Sequence, residues 1–577
     1  MKIKAIIAAA FVAIITPFAG GAFAEDTISI NSQADFASHL ATPGSYRLDS
    51  DISLTDNMII TANGFVLDLN GHTINNGDKR ISASGNVTIK DSSSTKTGKV
   101  TSTTSDPEDP ARSVQVTGTF TLESGTLEGN NSYAILVGST GKVTIKGGTV
   151  ITNYYSIVNG GTVTVNGGLV QSTSMSNPTY YGQSNSKLIQ NGGTIKTDGD
   201  AIAINLSKPY ATYTLNDGLV EAMYVHPTNN NYGGAGVCGF QDTEIFIHGG
   251  KIKSHTQAIC GNGSRIGERN SGVNMKLTIT GGELISDTIA IYIPQINGET
   301  KISGGTITGQ TDLEIRAGKL LITGGTFIAG DEPYQIDPNN NGSNSFNVAV
   351  SVVQHTTKQP IEVVICGGTF KGNLPFAEAN SMHNPASDIA KISIDIAGES
   401  CSGNTTPSFI STGETTIYSE DLEKFIYGGR YTHSTDKYMA DEHGEIQEDD
   451  GMIAVYPYRK VEAEQPKEGG TVEISKEQTL RGTLITINPK PKPGFVVVSI
   501  DVIDANGNHI PVRDNKYYAP DSDTKVYVKF GIANPETSND RVNDYGVFIV
   551  ICAATAVFAV SSFILGRHYA KAFRSSR

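Results

Sequence analysis

Residues 276–284 read Lys-Leu-Thr-Ile-Thr-Gly-Gly-Glu-Leu, an alternating apolar strand that meets two glycines before the next strand begins. The alternation changes phase at the glycines, because Leu277 and Ile279 occupy odd positions and Leu284 an even one. Side chains of a strand alternate between its two faces, so a shift of one position lets both arms face one interior around a corner. Glycine suits such a corner because it tolerates positive φ. The stretch therefore predicts a corner of a β-coil and not a hairpin.

The same pattern recurs along the chain, and its spacing indicates the architecture. Clear copies are KVTIKGGTV (142–150), TVTVNGGLV (162–170), EIFIHGGKI (244–252), KLLITGGTF (319–327) and EVVICGGTF (362–370). The second glycine of successive copies stands at 125, 148, 168, 193, 218, 250, 282, 305, 325 and 368. A short period with insertions is typical of a solenoid, and the absence of helical periodicity favours a parallel β-helix. The alternative is a row of antiparallel hairpins in a sandwich or a propeller, whose blades have longer periods of about 40–50 residues.

The regions on either side of the repeats complete the predicted organisation. Residues 25–457 form the all-β parallel β-helix, with an N-terminal cap at 27–45 that contains a possible amphipathic helix at 33–40. Residues 458–530 form a small antiparallel β-sandwich, in which Asn506-Gly507 predicts a hairpin. A linker follows at 531–544.

The two termini predict export and anchoring. Residues 1–24 have a charged start, an apolar stretch and a small-residue end, which predicts a signal peptide cleaved between Ala24 and Glu25. Residues 545–566 are long and apolar enough for a transmembrane helix, and the basic tail 567–577 places the C-terminus in the cytoplasm. We therefore expect residues 25–544 to lie at the cell surface.

Charge and cysteine content restrict the partners and the chemistry. The formal net charge of −14 argues against nucleic acid as a partner, because phosphate backbones select clustered lysine and arginine. Cys238 and Cys260 lie 22 residues apart in similar contexts and could form a bridge between adjacent coils. Buried free thiols are the favoured prediction, because four cysteines in a long exported chain do not make a disulfide scaffold.

Several motifs resemble those of a known group of proteins. The LDLNG stretch at 67–71, the I-x-G-G-T-F-like copies and FIYGGRY at 425–431 resemble surface proteins of Gram-positive bacteria. The resemblance implies a pectate-lyase-like, right-handed parallel β-helix over 27–457, and 458–530 is similar to a small β repeat of exported proteins.

The order of motif, apolar segment and basic tail at the C-terminus is similar to a sortase sorting signal. Its motif is Asn534-Pro535-Glu536-Thr537-Ser538, so the resemblance implies cleavage after Thr537 and covalent attachment to peptidoglycan. Asn534 stands where leucine is commonest and Ser538 where glycine is commonest, which leaves the class of sortase open. The alternative is a plain single-pass membrane protein, anchored by the apolar segment alone.

The search for catalytic and metal-binding residues gives few candidates. Asp198 and Asp200, in KTDGD, resemble the aspartates of β-helix glycoside hydrolases, but no second pair in a matching context supplies the partner carboxylate that hydrolysis needs. Arg265, Glu268 and Arg269 share a polar loop that could supply a cationic base, but a solvated charged loop is the favoured interpretation. We expect no cofactor. The acidic run at 441–450 could bind calcium, but its spacing does not fit an EF-hand and a solvated loop is the favoured interpretation.

Tyrosines provide the better candidate for a binding surface. The predicted binding residues are Tyr154, Tyr155, Tyr180, Tyr181 and Tyr210. Their spacing of 26 residues (155 to 181) and 29 residues (181 to 210) is close to one coil, so they could stack along one side. Aromatic rings pack on sugar faces or on a protein partner while the hydroxyls form hydrogen bonds; the alternative is that these tyrosines only cover the coils.

The sequence therefore favours an anchored, non-enzymatic adhesin that binds a glycan or a host protein. The alternative function is an extracellular polysaccharide lyase or glycoside hydrolase on the same scaffold.

Overall fold

The computed structural model describes residues 27–104, 111–228, 233–263, 272–337, 345–401 and 417–533. The predicted signal peptide with its Ala24–Glu25 cleavage site, the sorting motif, the transmembrane segment and the basic tail lie outside these residues. No helix within the described ranges is long and apolar enough to span a bilayer. The chain divides after Tyr458 into two compact units.

The first unit is a stack of coils, each with three short strands. In one coil the chain passes through Thr119–Leu122, Thr126–Asn130 and Tyr133–Val137 and then enters Lys142–Ile145. The last of these pairs in parallel with Thr119–Leu122, in the register Thr119 with Lys142. Repetition of this path builds three parallel sheets, as in a parallel β-helix, and we call this unit the solenoid. The prediction of an all-β fold with long parallel sheets is confirmed.

The strands of each sheet follow one another along the chain. The first sheet contains Ile28–Ile30, Gly44–Leu48, Asn63–Asp68, Asn86–Lys90, Thr119–Leu122, Lys142–Ile145, Thr162–Val165, Lys187–Thr197, Thr212–Ala222, Glu244–Ile247, Lys276–Ile279, Glu299–Ile302, Gly318–Ile328, Ile361–Lys371 and Ile392–Ile396. The second contains Ile52–Ser53, Thr73–Asn75, Lys99–Thr103, Thr126–Asn130, Thr149–Thr152, Leu169–Ser172, Lys251–Ser254, Glu283–Ser286 and Thr306–Thr308, together with the second halves of the four 11-residue strands of the first sheet. The third contains Met58–Ile60, Ile81–Ala83, Arg112–Val116, Tyr133–Val137, Ile157–Asn159, Tyr180–Gly182, Ile202–Leu206, Ala235–Gly239, Gln257–Gly261, Ile289–Ile293, Thr311–Ile315, Val348–Val353, Phe376–Ala379 and Ile417–Ser419.

The glycine pairs lie at the corner between the first and second sheets. Leu277, Ile279 and Leu284 are all fully buried, which confirms the predicted change of phase. Gly282 has φ +86°, and a Cβ atom there would lie 2.7 Å from the carbonyl oxygen of Gly249 on the preceding coil. The corner thus requires glycine both for its backbone angle and for the close approach of the stacked coil.

Both ends of the solenoid are covered by additional elements. At the N-terminus, helix Gln33–Ser38 is capped by Ser32, whose side chain accepts a hydrogen bond from the Asp35 N–H. The helix buries Phe36 against Phe65. The helix is two residues shorter than predicted. The other elements in the described part of this unit are helix Ala386–Ile389, 3₁₀ turns Glu399–Cys401 and Asp436–Tyr438, the antiparallel pair Gln335–Ile336 and Ser345–Phe346, and a sheet of Arg430–Tyr431, Ile453–Pro457 and His443–Gln447.

The cysteines correct the prediction of free thiols. Cys238 and Cys260 are register partners on neighbouring strands of the third sheet, with Cα atoms 4.7 Å apart, and they form a disulfide. A second disulfide joins Cys366 to Cys401. Parallel stacking in register places equivalent side chains of successive coils at bonding distance, which is why the similar contexts of Cys238 and Cys260 lead to a bridge.

The second unit contains two facing sheets. Strands Gln478–Thr479, Arg459–Glu464, Thr524–Ile532 and Phe495–Asp504 form one, and Gly470–Ile474, Leu484–Pro491 and Lys516–Tyr518 form the other. The prediction of a purely antiparallel module needs correction, because Arg459–Glu464 and Thr524–Ile532 pair in parallel. These strands open and close the unit, so no tight turn forces them to run in opposite directions. The predicted hairpin at Asn506-Gly507 is confirmed by the hydrogen bond from Ile510 N to the Val502 carbonyl, 2.8 Å.

Candidate functional site

Four tyrosines meet on the outer side of the third sheet. Tyr133 begins strand Tyr133–Val137, Tyr154 and Tyr155 lie in the turn before strand Ile157–Asn159, and Tyr181 is in strand Tyr180–Gly182. Tyr133 stacks on Tyr154 with ring centroids 5.5 Å apart. Tyr154 and Tyr155 meet edge to face at 4.7 Å, and Tyr155 meets Tyr181 in the same way at 5.7 Å. These four half-buried rings are the tyrosine cluster.

Hydroxyl side chains from neighbouring coils fix the turn that carries two of these rings. The Tyr154 N–H donates to Thr152 Oγ1 at 2.9 Å, and Ser172 Oγ donates to the Tyr154 carbonyl at 2.7 Å. Thr152 Oγ1 in turn donates to the Ser132 carbonyl of the preceding coil at 2.8 Å. The turn is therefore tied to the coils on both sides, which orients the rings before any ligand binds. Burial raises the pKa of Tyr155, with smaller contributions from Tyr154 and Tyr181, so its hydroxyl stays a donor at neutral pH.

Two of the predicted tyrosines do not belong to this surface. Tyr180 points into the core and is fully buried, its hydroxyl oxygen accepts a hydrogen bond from Asn159 Nδ2 at 2.7 Å, and burial raises its pKa to about 12. Adjacent residues of a strand face opposite sides, so Tyr180 and Tyr181 cannot both be on the outer face. Tyr210 is 60% exposed in a turn, and within the described ranges no ring contact connects it to the cluster.

A groove adjoins the tyrosine cluster at the corner between the third and first sheets. Its volume is about 420 Å³ and it is lined by Ser139, Gly160, Tyr181, Gln183, Ser184 and Lys208. Tyr181 belongs to both groups, so the rings and the groove form one continuous surface. Asn205 pairs with Tyr181 in register on the next coil, and its side-chain oxygen has no hydrogen-bond partner in the described part of the chain.

This surface combines aromatic faces with hydroxyl, amide and ammonium groups. Flat apolar rings pack against the C–H faces of sugars, while the polar groups exchange hydrogen bonds with sugar hydroxyls. Preformed concavity and fixed rings limit the entropy that is lost on binding. The arrangement can therefore bind a ligand, and its described residues bring no pair of carboxylates together for catalysis.

The weak catalytic candidates Asp198 and Asp200 lie elsewhere, just after strand Lys187–Thr197, and each lies beside a basic side chain. Lys196 Nζ is 3.3 Å from Asp198 Oδ1 and 3.1 Å from Glu221 Oε1, and Gln171 Nε2 also donates to Asp198. The hydrogen bond to Glu221 is the largest cause of the raised pKa of Lys196. Asp200 Oδ2 is 4.0 Å from His226 Nε2. We propose no catalytic role for Asp198, because Lys196 occupies the space between the two carboxylates; Arg265, Glu268 and Arg269 lie outside the described residues.

Carboxylates of the acidic run at 441–450 bind other side chains of the solenoid. Glu448 and Asp450 both bind Arg430, the former at 2.7 Å, and Glu445 accepts hydrogen bonds from Ser434 and Thr435. These carboxylates thus tie the C-terminal elements of the solenoid together.

Sequence reasoning missed Tyr133 and all of the groove residues except Tyr181. Tyr133 lies 21 residues before Tyr154, a spacing of one coil that a wider search for tyrosines would have detected. The groove residues carry no comparable signal, because they lie in turns of different lengths. In the comparisons with known proteins, no protein-family model, no curated protein and no solved structure matches the chain.

Proposed function

We propose that this protein is a surface-anchored adhesin that binds carbohydrate through the tyrosine cluster and the adjoining groove. The observation that carries the proposal is the continuity of the four rings with a groove of about 420 Å³ through Tyr181. That volume lies within the range of small-ligand sites, about 300–1,000 Å³. Its walls have several hydrogen-bonding groups and only one charged residue, Lys208, as a site for hydroxyl-rich ligands requires.

The proposed cellular setting follows from the sequence. A signal peptide at 1–24, a sorting motif at 534–538 and a transmembrane helix at 545–566 would export the chain and join it to peptidoglycan through a sortase. In the proposed arrangement a right-handed β-helix presents the tyrosine cluster outside the cell.

Binding of the full-length chain, in detergent micelles, to an array of neutral, carboxylated and sulfated glycans tests the proposal. Tyr155→Ala and Tyr181→Ala should each weaken binding by roughly 3- to 10-fold, because an aromatic contact contributes about 0.5–1.5 kcal/mol beyond burial. Tyr181→Phe retains the ring and should lose less. Tyr210→Ala is the matched control, since it removes an exposed tyrosine outside the cluster.

Two results would contradict the proposal. One is the absence of binding to any glycan on the array by a chain that folds normally. The other is equal loss of binding in the Tyr210→Ala and Tyr155→Ala variants, which would place the contact elsewhere. Binding to an extracellular matrix protein that depends on the same rings, without glycan binding, would reassign the ligand class.

A further inference from the structure

The groove lies in an uncompensated positive region of an acidic protein. Lys208 lines the groove, and Lys142 and Lys187 begin the first-sheet strands that follow the turns containing Ser139 and Ser184. All three lysines are exposed, and none has an ion-pair partner within the described ranges. None of the six groove-lining residues is acidic. The whole chain, in contrast, has a formal net charge of −14.

Other lysines near the starts of first-sheet strands are paired with carboxylates, so the unpaired lysines beside the groove are an exception. Farther along the first sheet, Lys276 is paired with Glu244 of the preceding coil at 3.2 Å, and Lys319 is paired with Glu362 of the following coil at 2.6 Å. Lys142 and Lys187 occupy equivalent strand-start positions, but the residues stacked beside them are Thr162 and Thr212. The cross-coil carboxylates that neutralise the later lysines are thus replaced by threonines beside the groove.

Asp242, in the turn on the following coil, does not neutralise these lysines. Asp242 lies one coil beyond Lys208, where its carbonyl oxygen accepts a hydrogen bond from Tyr210 N. Its carboxylate accepts a hydrogen bond from Asn274 Nδ2 at 2.8 Å, on the coil farther from the groove. The ammonium groups beside the groove therefore remain available for an external anion.

We propose that the ligand of this surface is a linear acidic polysaccharide, whose carboxylate or sulfate groups bind Lys142, Lys187 and Lys208 while its sugar rings pack on the tyrosine cluster. The inference rests on the proposed carbohydrate-binding function and specifies its substrate class. Lys142 and Lys187 are separated by two steps of the parallel register, which is about 10 Å along the stack. This distance suits a chain that runs parallel to the solenoid axis and carries one charge per two sugar units.

The test uses dextran, carboxymethyl-dextran, dextran sulfate and chondroitin sulfate, immobilised and exposed to the full-length chain in detergent micelles. The first three share a backbone and differ in their charged groups, so they separate carboxylate recognition from sulfate recognition. We expect binding to the charged polymers, weak binding to dextran, and a loss of affinity between 0.01 M and 1 M salt. Over that range the screening length falls from about 30 Å to about 3 Å.

Substitution of the three lysines gives the decisive comparison. The triple variant Lys142→Gln, Lys187→Gln, Lys208→Gln should bind the charged polymers roughly tenfold or more weakly at low salt, as expected from up to about fivefold for each exposed ion pair. Lys251→Gln, Lys276→Gln, Lys319→Gln is the control, because it changes the net charge equally on the same solenoid but away from the groove.

The outcomes distinguish this inference from the proposed function. Equal, salt-insensitive binding to dextran and its charged forms, or equal losses in the two triple variants, would overturn the acidic ligand and leave carbohydrate binding intact. Binding to charged polymers that is unaffected by Tyr155→Ala and Tyr181→Ala would instead show simple ion exchange and overturn the proposed function. The absence of binding to all four polymers counts against the acidic ligand if the glycan array gives neutral hits.

Discussion

Asp312 occupies the interior position of the third sheet that Ala290 occupies one coil earlier. The pairs Ile289 with Thr311 and Ile291 with Leu313 set this register, and both Asp312 and Ala290 are fully buried. Within the described ranges neither carboxyl oxygen of Asp312 accepts a hydrogen bond of good geometry, although the nearby backbone N–H of Gly309 partly opposes the rise of its pKa. Burial therefore raises the pKa of Asp312 well above its usual range and favours the uncharged carboxyl group.

The stability of the solenoid should consequently depend on pH through this residue. Because the pKa of Asp312 is raised in the folded state, its contribution is most favourable below the unfolded pKa of about 4 and is lost as pH rises through the folded value. Asp312→Ala should stabilise the protein by about 1–3 kcal/mol at pH 7, since alanine already fills this position at Ala290. Chemical denaturation between pH 4 and pH 8 measures the effect. Asp312→Asn, which stays uncharged, should also flatten the pH dependence; an unchanged slope in both variants would contradict the assignment.

Alanine substitutions at Gly282 and Gly64 should destabilise the solenoid by different amounts, although both glycines have positive φ. Gly282→Ala should destabilise the solenoid by about 2–5 kcal/mol, because left-handed alanine is strained and its Cβ would lie 2.7 Å from Gly249 O. Gly64 has φ +95° with nothing within 4 Å of a Cβ, so Gly64→Ala should cost only about 1–2 kcal/mol. Urea denaturation of both variants measures the difference, which isolates the contact between stacked coils. Equal losses would mean that backbone strain alone selects glycine.

The buried ion pair of Glu314 and Arg316 should be sensitive to the loss of either partner. Arg316 Nε donates to Glu314 at 2.6 Å, and the two side chains are 3% and 0% exposed. The other carboxylate oxygen accepts a hydrogen bond from Ser345 N, and the guanidinium lies 5.3 Å from the centre of the Tyr292 ring. Glu314→Gln or Arg316→Met should each cost about 3–5 kcal/mol, because each removes one charge of an ion pair that is buried in the protein.

A double variant and an exposed pair provide the controls for that measurement. The double variant Glu314→Gln, Arg316→Met should lose less than the sum of the single losses, since no uncompensated charge remains. Lys301→Met, which removes an exposed lysine 3.9 Å from Glu299, should change the unfolding free energy by less than about 1 kcal/mol. Strict additivity at the buried pair would show that the two groups act independently.

The proposed anchoring can be tested on whole cells. Deletion of residues 534–538 should move the protein from the cell-wall fraction to the membrane fraction or the medium, because the sortase would have no cleavage site. Thr537→Ala is the minimal variant, and Ser561→Ala within the apolar segment is a control that leaves the motif intact. Immunoblots of the separated fractions give the readout, and an unchanged wall fraction after the deletion would exclude a sortase mechanism.

The local pattern of side chains was enough to identify the corners of the solenoid. The odd and even positions of Leu277, Ile279 and Leu284 show the change of phase directly, since each strand residue faces the side opposite its neighbour. The Asn506-Gly507 turn could also be predicted from the sequence, because the geometry of such a turn depends on adjacent residues alone. A spacing of 22 residues also brought Cys238 and Cys260 to attention, although the favoured prediction of free thiols was wrong.

The candidate site depended on how successive coils align. Sequence spacing suggested that Tyr155 and Tyr181 stack, but the same reasoning included Tyr180, which the alternation of strand side chains directs into the core. Glu221 was not recognised as a neighbour of Asp198, because only the register that pairs Lys196 with Glu221 brings them together.

The sequence by itself determined the coils and their corners, because these follow from alternation over a few residues. Only the tertiary structure decided which outward side chains meet, because turns of unequal length set the register between coils.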